Sequence, residues 1–203
     1  MHVDIVEESP ERLADYARVP IAFLVDATFD DHALDALERG DRAAPSPVPV
    51  PYEKDYDAHA GSHPTDWPVR FDVSRWIILG AFRDGQRVGG AVVVVGDAAV
   101  DLLGGQPDAA LLWDLRVAPA VRHCGIGTAL LRAAEHAAVQ RGARVLRVET
   151  QQVNVAACQF YRRNGFSIEQ MQRDAYPELP DEVRLLWIAA LGSDARPIVG
   201  RAL

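Results

Sequence analysis

The sequence predicts an α/β protein (α+β mixed) with a mostly antiparallel central sheet, one parallel strand pair and helices on both faces. Two apolar runs, at 76–82 and 87–95, flank the turn Arg-Asp-Gly-Gln, which is typical of a β-hairpin. An apolar strand at 111–117, a helical pattern at 125–140 and a further strand at 144–150 follow. That order is a strand–helix–strand crossover, which joins parallel strands, so the sheet is mixed.

The other elements follow from local patterns. Ser9 before Pro10 is typical of a helix start. The segment 43–51 is too rich in proline for a helix or a central strand and predicts an extended surface loop, which continues to residue 68; loops of that length are usually lids or disordered. The remaining predicted elements are a helix at 10–16, a strand at 21–25, a helix at 30–39, a strand at 98–103, a helix at 153–163 and strands at 166–172 and 183–191.

Composition bounds the domain count and the class of partner. A chain of 203 residues with 49% apolar content can bury one substantial core, and no obvious linker divides it, so we expect a single domain over 1–203. The net charge of −8 argues against a nucleic-acid partner, which requires a basic surface. An acidic surface suits a cationic small substrate, although it also simply keeps proteins soluble.

The cysteine count and the length of the apolar runs indicate the cellular compartment in which the protein is expected. The two cysteines, Cys124 and Cys158, form no disulfide framework, and no cysteine or histidine spacing indicates a metal. The acidic N-terminus is not a signal peptide, and the longest apolar run, 89–95, is too short to cross a bilayer. We therefore expect a cytoplasmic protein without a metal or a membrane partner.

A glycine-rich turn follows the strand at 111–117 and reads Arg122-x-x-Gly125-x-Gly127 before a helix. Glycines let a ligand approach the main chain, and the helix start adds a partial positive charge. The pattern predicts a diphosphate site, with an ordinary tight turn as the alternative for this fragment alone.

A second constellation follows about thirty residues later, with the pattern Asn154-x-x-Ala157-x-x-x-Tyr161-x-x-x-Gly-Phe. Together with the glycine loop it resembles the GNAT superfamily of acetyl-CoA-dependent N-acetyltransferases, over about residues 71 to 190. Within that superfamily the fragments 149–161, 52–56 and 176–187 are similar to the streptothricin acetyltransferase branch.

The resemblance implies acetyl-CoA as the co-substrate, with backbone N–H groups of the glycine loop on its diphosphate and the strand before the loop paired with its pantetheine arm. His123 occupies a position that is commonly glycine in the superfamily, which we interpret as a tolerated substitution. The residues assigned to the cofactor are Leu115, Arg116, Val117, Arg122, His123, Cys124, Gly125, Ile126, Gly127, Thr128, Asn154, Ala157 and Tyr161.

Three residues are candidates for catalysis. Tyr161 lies two helical turns after Asn154, and the resemblance makes its phenol the acid that protonates the departing thiolate; a packed core aromatic is the alternative. Asp114 and Glu149 are candidates for the base that deprotonates the amine. Asp114 has an alternative role as the ion-pair partner of Arg116 or Arg147.

Acidic and aromatic residues suit a protonated amine, although each loop residue is also a plausible solvated side chain. The predicted acceptor residues are Tyr52, Asp55, Tyr56, Asp114, Glu149, Tyr176, Glu178 and Glu182. The expected activity is acetyl transfer to a small cationic amine, such as a streptothricin-type antibiotic. Alternatives are a protein lysine or N-terminal acetyltransferase and a non-catalytic acyl-CoA-binding module. The oligomeric state stays open, with a homodimer through the closing strand as one option.

Overall fold

A computed structural model describes residues 2–192. The chain divides into two compact units. The first unit comprises residues 2–22, 55–146 and 190–192, and the second comprises 23–54 and 147–189. In chain order the elements are β1 (Asp4–Glu8), α1 (Leu13–Tyr16), β2 (Phe23–Thr28), α2 (Asp31–Glu38), β3 (Ser46–Lys54), α3 (Trp67–Arg70), β4 (Ile77–Arg83), β5 (Gln86–Val95), β6 (Ala109–Val117), α4 (Ile126–Gln140), β7 (Val145–Gln151), α5 (Val155–Arg163), β8 (Ser167–Gln172) and β9 (Arg184–Ala190).

The first unit is built on four antiparallel strands in the order β1-β4-β5-β6. The predicted hairpin joins β4 to β5, and both turn residues, Asp84 and Gly85, have positive φ angles, as a type I′ turn requires. Helix α4 packs on β4, β5 and β6 and buries an apolar face that includes Leu130, Leu131 and Ala134. Apolar residues at helical spacing therefore cover one face of this sheet.

An aromatic cluster forms the core of the first unit around α1 and α3. The ring centroids of Trp76 and Trp113 lie 4.9 Å apart, and those of Trp67 and Trp76 lie 6.0 Å apart. Phe71 meets Trp113 edge-on at 5.1 Å. Tilted and edge-on pairs at these separations are favourable beyond their buried area, so this cluster fixes the 67–76 segment against the sheet.

A β-bulge interrupts β6 inside this cluster. Val92 on β5 faces Asp114, whereas Val93 faces Leu112, so Trp113 is the additional residue. A bulge bends its strand and changes the direction of the side chains around it. Here it lets Trp113 enter the aromatic cluster.

The second unit contains β7, β9 and β8 in that order, and a separate two-stranded sheet of β2 and β3. Helix α5 packs near β2, and α2 packs near β8. The predicted surface loop at 43–51 is wrong, because β3 pairs with β2. The pairing jumps from Val25–Tyr52 to Ala27–Pro47 and leaves residues 48–51 outside the ladder. Pro49 and Pro51 fall in that unpaired stretch, where their missing N–H groups cost no ladder hydrogen bond.

Two further element predictions are wrong. The strand β1 was not predicted, because its acidic, mostly exposed sequence lacks an apolar alternation; it is an edge strand on β4. The predicted strand at 98–103 is instead a bend and a 3-10 turn at Asp101–Leu103 that ends on the left-handed Gly104. The other predicted elements agree with the structure within a few residues, and the predicted α/β class with a mostly antiparallel sheet is confirmed. Within residues 2–192, the helices are all too short or too polar to cross a membrane.

The side chain of Arg116 is fully buried on β6 and donates all five of its N–H groups. It binds both carboxylate oxygens of Asp114, both of Asp57 and the carbonyl of Val19, at 2.7–3.1 Å. Tyr16, which is buried, donates its hydroxyl to Asp114. A buried guanidinium is tolerated only with such complete pairing. This network therefore joins β6, the end of α1 and the turn at Tyr56–Ala58.

We expect Arg116→Met to lower the free energy of unfolding by about 3–5 kcal/mol, because the carboxylates of Asp57 and Asp114 lose their buried counter-charge. Urea denaturation measures this change. The matched control is Arg141→Met, since Arg141 pairs with Glu7 and both side chains are about half exposed. That variant should lose less than about 1 kcal/mol. Equal losses in the two variants would contradict a structural role for the Arg116 network.

Candidate active site

The predicted diphosphate loop leaves β6 after Val117 and enters α4 at Ile126. His123 and Gly125 have φ angles of 62° and 84°, both left-handed, and residues 123–125 are exposed. Gly125 is the N-cap of α4 and has no side chain to satisfy the first N–H groups of the helix. The start of α4 therefore offers backbone donors and a partial positive charge to an anion.

The left-handed φ of His123 gives a physical reason why the superfamily commonly has glycine at this position. Glycine adopts that conformation freely, and histidine is among the few other residues enriched there. The exposed imidazole takes part in no hydrogen bond of the kind that would orient a catalytic base within the described residues. The substitution at His123 is thus compatible with the loop backbone.

Arg122 braces the loop from inside the first unit. Its Nε donates to the carbonyl of Val117 at 3.0 Å, and Nη2 donates to the carbonyl of Ala22 at 2.9 Å. The guanidinium is partly buried, and this burial lowers the pKa of Arg122. The structure thus gives Arg122 a role in holding the loop, and its predicted contact with a diphosphate stays a prediction.

The other residues assigned to the cofactor in the first unit lie on β6, on the loop and in the first turn of α4, and their contact with a cofactor stays a prediction. The backbone of Arg116 and Val117 pairs with Gly90 and Gly89 of β5, and Leu115 pairs with Ala91. Thr128 is exposed in the first turn of α4, and Gly127 is half-buried beside it. Cys124 is exposed on the loop, whereas Ile126 is buried beneath it.

Asp114 takes the structural role that the sequence left open for it. Its carboxylate accepts from Nε of Arg116 at 2.9 Å and from Nη2 at 2.7 Å, and it also accepts from the Tyr16 hydroxyl. Burial, followed by the negative charge of Asp114, raises the pKa of Tyr16 well above its ordinary value, so the phenol stays a donor. Asp114 is thus the ion-pair partner of Arg116, and its predicted role as a base stays a prediction.

Glu149 has a different environment in the second unit. It lies on β7, and its Oε1 accepts a hydrogen bond from the Tyr176 hydroxyl at 2.7 Å. Burial raises the pKa of Glu149, while the Tyr176 hydrogen bond and the positive charge of Arg184 oppose that rise. Burial thus makes this carboxylate a stronger proton acceptor than an exposed glutamate, and its predicted role as a base stays a prediction.

Helix α5 begins as predicted. The side chain of Asn154 caps it by accepting from the N–H of Ala157 at 3.1 Å. Two turns later Tyr161 is buried, with its ring edge-on to Phe160 at 5.2 Å and to Phe166 at 5.5 Å. The core packing that was the alternative for Tyr161 is therefore present, and its role as an acid stays a prediction.

The predicted acceptor residues fall in both units. Asp55 caps the 3-10 turn that contains Tyr56, and both are half-buried. Tyr52 and Glu178 are exposed in the second unit. Glu182 is buried, and its Oε1 lies 2.5 Å from the Lys54 ammonium, so the interpretation of Glu182 as a solvated loop residue is wrong. Burial and the negative charge of Glu182 raise the pKa of Tyr52, which indicates that these two side chains are close.

Sequence reasoning missed the residues that hold these groups. Gln152 donates to the carbonyl of Asp181 at 2.8 Å and accepts from the N–H of Val183 at 2.6 Å, and it thereby anchors the segment before β9. Lys54, Asp57 and Tyr16 are also missed. Their partners lie 59 to 128 residues away in the chain, and no local pattern identifies such pairs.

The position of Cys158 does not support a role as a nucleophile. Cys158 is buried, and burial raises the pKa of its thiol to about 12. A nucleophilic cysteine requires an accessible thiolate, so Cys158 is excluded as an acyl carrier. Over residues 2–192 no three His, Cys, Asp or Glu side chains gather into a possible metal site.

Comparison with known proteins identifies the family. The profile described as the acetyltransferase (GNAT) family matches residues 41–166. Streptothricin acetyltransferase A of Bacillus subtilis (strain 168) is 36% identical over 80 residues, which are 38% of this chain. That match spans only 46% of the length of the Bacillus subtilis protein.

Solved structures share the fold. The crystal structure of a nourseothricin acetyltransferase has a TM-score of 0.71 and 23% identity, and the alignment covers 95% of this chain and all of the other. A protein assigned as a streptothricin acetyltransferase, from Bacillus anthracis str. Ames and in complex with acetyl coenzyme A, has a TM-score of 0.71 and 25% identity over 93% of this chain and 99% of the other. The predicted family is thus confirmed: the chain belongs to the acetyltransferase (GNAT) family.

Proposed function

We propose that this chain transfers the acetyl group of acetyl-CoA to a primary amine of a small cationic molecule of the streptothricin class. The observation that carries the proposal is the exposed loop at 123–125 that leads into the N-terminus of α4. The similar Bacillus anthracis protein was solved in complex with acetyl coenzyme A, which supports the same co-substrate for this chain. Acetylation of such an antibiotic would give the producing or exposed cell resistance.

The loop residues fit a diphosphate in charge and in shape. The left-handed Gly125 leaves open space where a side chain would stand, so a ligand can approach the main chain. Backbone N–H groups from Cys124 to Thr128 are the proposed donors, and the N-terminus of α4 adds favourable positive charge. The bulge at Trp113 supports a second expectation, since it interrupts β6 before residues 115–117, which we assign to the pantetheine arm.

The proposed chemistry is direct transfer from a thioester to an amine. A neutral amine is required as the nucleophile, and an alkyl amine with a pKa of about 10.4 is mostly protonated at neutral pH. We assign Glu149 as the base that takes this proton, directly or through a water. A backbone N–H of the interrupted strand β6 stabilises negative charge on the carbonyl oxygen, and Tyr161 donates a proton to the sulfur that leaves.

The acceptor proposal rests on charge. Carboxylates and tyrosines of the second unit, among them Tyr52 and Glu178, are exposed and suit an ammonium group. The half-length match to streptothricin acetyltransferase A supports the same substrate class.

A thiol-release assay tests this function. Purified protein is incubated with acetyl-CoA and, in separate reactions, streptothricin, free lysine and a lysine-containing peptide. We expect thiol release with streptothricin at a rate at least about tenfold above the other acceptors. Release with the peptide alone would replace the small-molecule proposal by protein acetylation, and acetyl-CoA binding without release would favour a binding module.

Gly127→Val tests the cofactor loop. A β-branched side chain at this position should obstruct the diphosphate and raise the dissociation constant for acetyl-CoA at least about tenfold, which is about 1.4 kcal/mol. Isothermal titration calorimetry measures the change. The control is Arg141→Met, which changes an exposed residue at the other end of α4 and should keep the wild-type affinity. Wild-type affinity in folded Gly127→Val protein would show that the loop assignment is wrong.

Tyr161→Phe separates the catalytic role of Tyr161 from its packing. Phenylalanine keeps the contacts with Phe160 and Phe166 but removes the phenolic proton. We expect turnover to fall by about 10²–10⁴-fold, while the melting temperature and the affinity for acetyl-CoA stay close to wild type. A less stable protein with unchanged turnover per folded molecule would instead make Tyr161 a purely structural residue.

A further inference from the structure

In the second unit, the proposed base Glu149 is hydrogen-bonded to Tyr176. The Tyr176 hydroxyl donates to Oε1 of Glu149 at 2.7 Å. Glu149 lies on β7, and Tyr176 belongs to the segment between β8 and β9. This contact joins an aromatic residue that we expected at the acceptor to the carboxylate that we assign as the base.

The segment that carries Tyr176 is held in place. The N–H of Leu179 donates to the carbonyl of Tyr176 at 2.9 Å, and the N–H of Glu182 donates to the carbonyl of Leu179 at 2.9 Å. Farther along, Gln152 binds the backbone on both sides of Glu182, whose carboxylate pairs with Lys54. These contacts fix the position of the Tyr176 backbone, so its hydroxyl is preorganised on Glu149.

We infer that Tyr176 is a positioning residue that orients the carboxylate of Glu149 and keeps it ready to accept a proton, and not a contact for the acceptor. This inference rests on the proposed function, since it requires Glu149 to be the base. The hydrogen bond occupies one site on Oε1, and a carboxylate has further lone pairs for a water or an amine. A hydrogen bond to the charged form also favours the ionised carboxylate.

The charges around Glu149 define what the loss of the hydroxyl would do. Arg184 on β9 attracts the carboxylate, while Arg147 on β7 is committed to Glu169 of β8 at 2.6 and 2.7 Å. Burial opposes ionisation, and Tyr176 and Arg184 favour it. Without the Tyr176 hydroxyl, Glu149 would hold its proton to a higher pH. Because the base acts only when it is deprotonated, the acidic limb of the pH profile would move upward.

The test compares two tyrosines that each donate to a candidate base. Tyr176→Phe removes the donor to Glu149, and Tyr16→Phe removes the donor to Asp114. The second-order rate constant kcat/KM for streptothricin is measured from about pH 5.5 to about pH 9.5 by thiol release, for both variants, wild type and Glu149→Gln. Dissociation constants for acetyl-CoA are measured in parallel.

We expect Tyr176→Phe to move the acidic limb upward by about one pH unit, so that activity below the limb falls about tenfold while the plateau stays within about threefold of wild type. Tyr16→Phe should leave the limb in place although it lowers thermal stability. Glu149→Gln should lose the limb at its wild-type position and keep only the rise with pH that the amine's own deprotonation causes. Affinity for acetyl-CoA should not change in Tyr176→Phe.

The possible failures are distinguishable. A limb that persists at its wild-type pH in Glu149→Gln would show that the proposed base is wrong, whichever way Tyr176→Phe behaves. If Glu149→Gln loses the limb but Tyr176→Phe keeps it unmoved, the base stands and the positioning role is overturned. A rise in KM for streptothricin with an unmoved limb would instead make Tyr176 an acceptor contact. If the limb moves only in Tyr16→Phe, the base is Asp114 and not Glu149, and the inference is overturned.

Discussion

The first unit depends on the burial of one guanidinium. Because all five N–H groups of Arg116 must find acceptors away from water, the chain has to bring the carbonyl of Val19 and the carboxylate of Asp57 to a strand that already carries Asp114. The same strand position faces Gly90 on β5. A Cβ on Gly90 would lie 2.4 Å from the ring of Tyr16, so this glycine makes the space in which Tyr16 reaches Asp114. This network holds β6 in its register and so positions the start of the loop that we propose for the diphosphate.

In the second unit a neutral side chain, that of Gln152, satisfies backbone groups that would otherwise lack partners. Gln152 satisfies the backbone of Asp181 and Val183, so the segment before β9 is held by an amide that carries no desolvation cost of charge. The adjacent pair of Lys54 and Glu182 is charged and buried, and Oε2 of Glu182 has no hydrogen-bond partner among the described residues. A buried pair of this kind adds more to specificity of position than to stability. Its effect is to join the end of β3 to the segment that carries Tyr176.

The sequence predicted the elements whose signals are local. The hairpin at β4 and β5, the long apolar face of α4 and the Asn154 cap of α5 each arise from residues within one turn or one strand, and each is present. The strands β1 and β3 were missed because the pairing partners of β1 lie 70 or more residues away and those of β3 lie 18 or more residues away. Acidic residues and prolines also lower the strand propensity of these two segments. The site follows the same division. The glycine loop and the Asn–Ala–Tyr pattern can be recognised as motifs in the sequence. The tyrosine partners of Asp114 and Glu149 and the lysine partner of Glu182 come from other parts of the chain, so no local motif identifies them.

The two candidate bases show how tertiary contacts separate residues that the sequence leaves equivalent. Each carboxylate accepts a hydrogen bond from a tyrosine, so the tyrosine cannot be what distinguishes them. Asp114 also accepts two hydrogen bonds from a guanidinium that is fully buried, and to protonate Asp114 would remove the counter-charge of that guanidinium. Glu149 has Arg184 only as a nearby charge, and burial raises its pKa. A proton taken up by Glu149 therefore relieves part of its desolvation, whereas a proton on Asp114 would oppose the ion pair that holds the first unit together. For this reason we propose Glu149, and not Asp114, as the base.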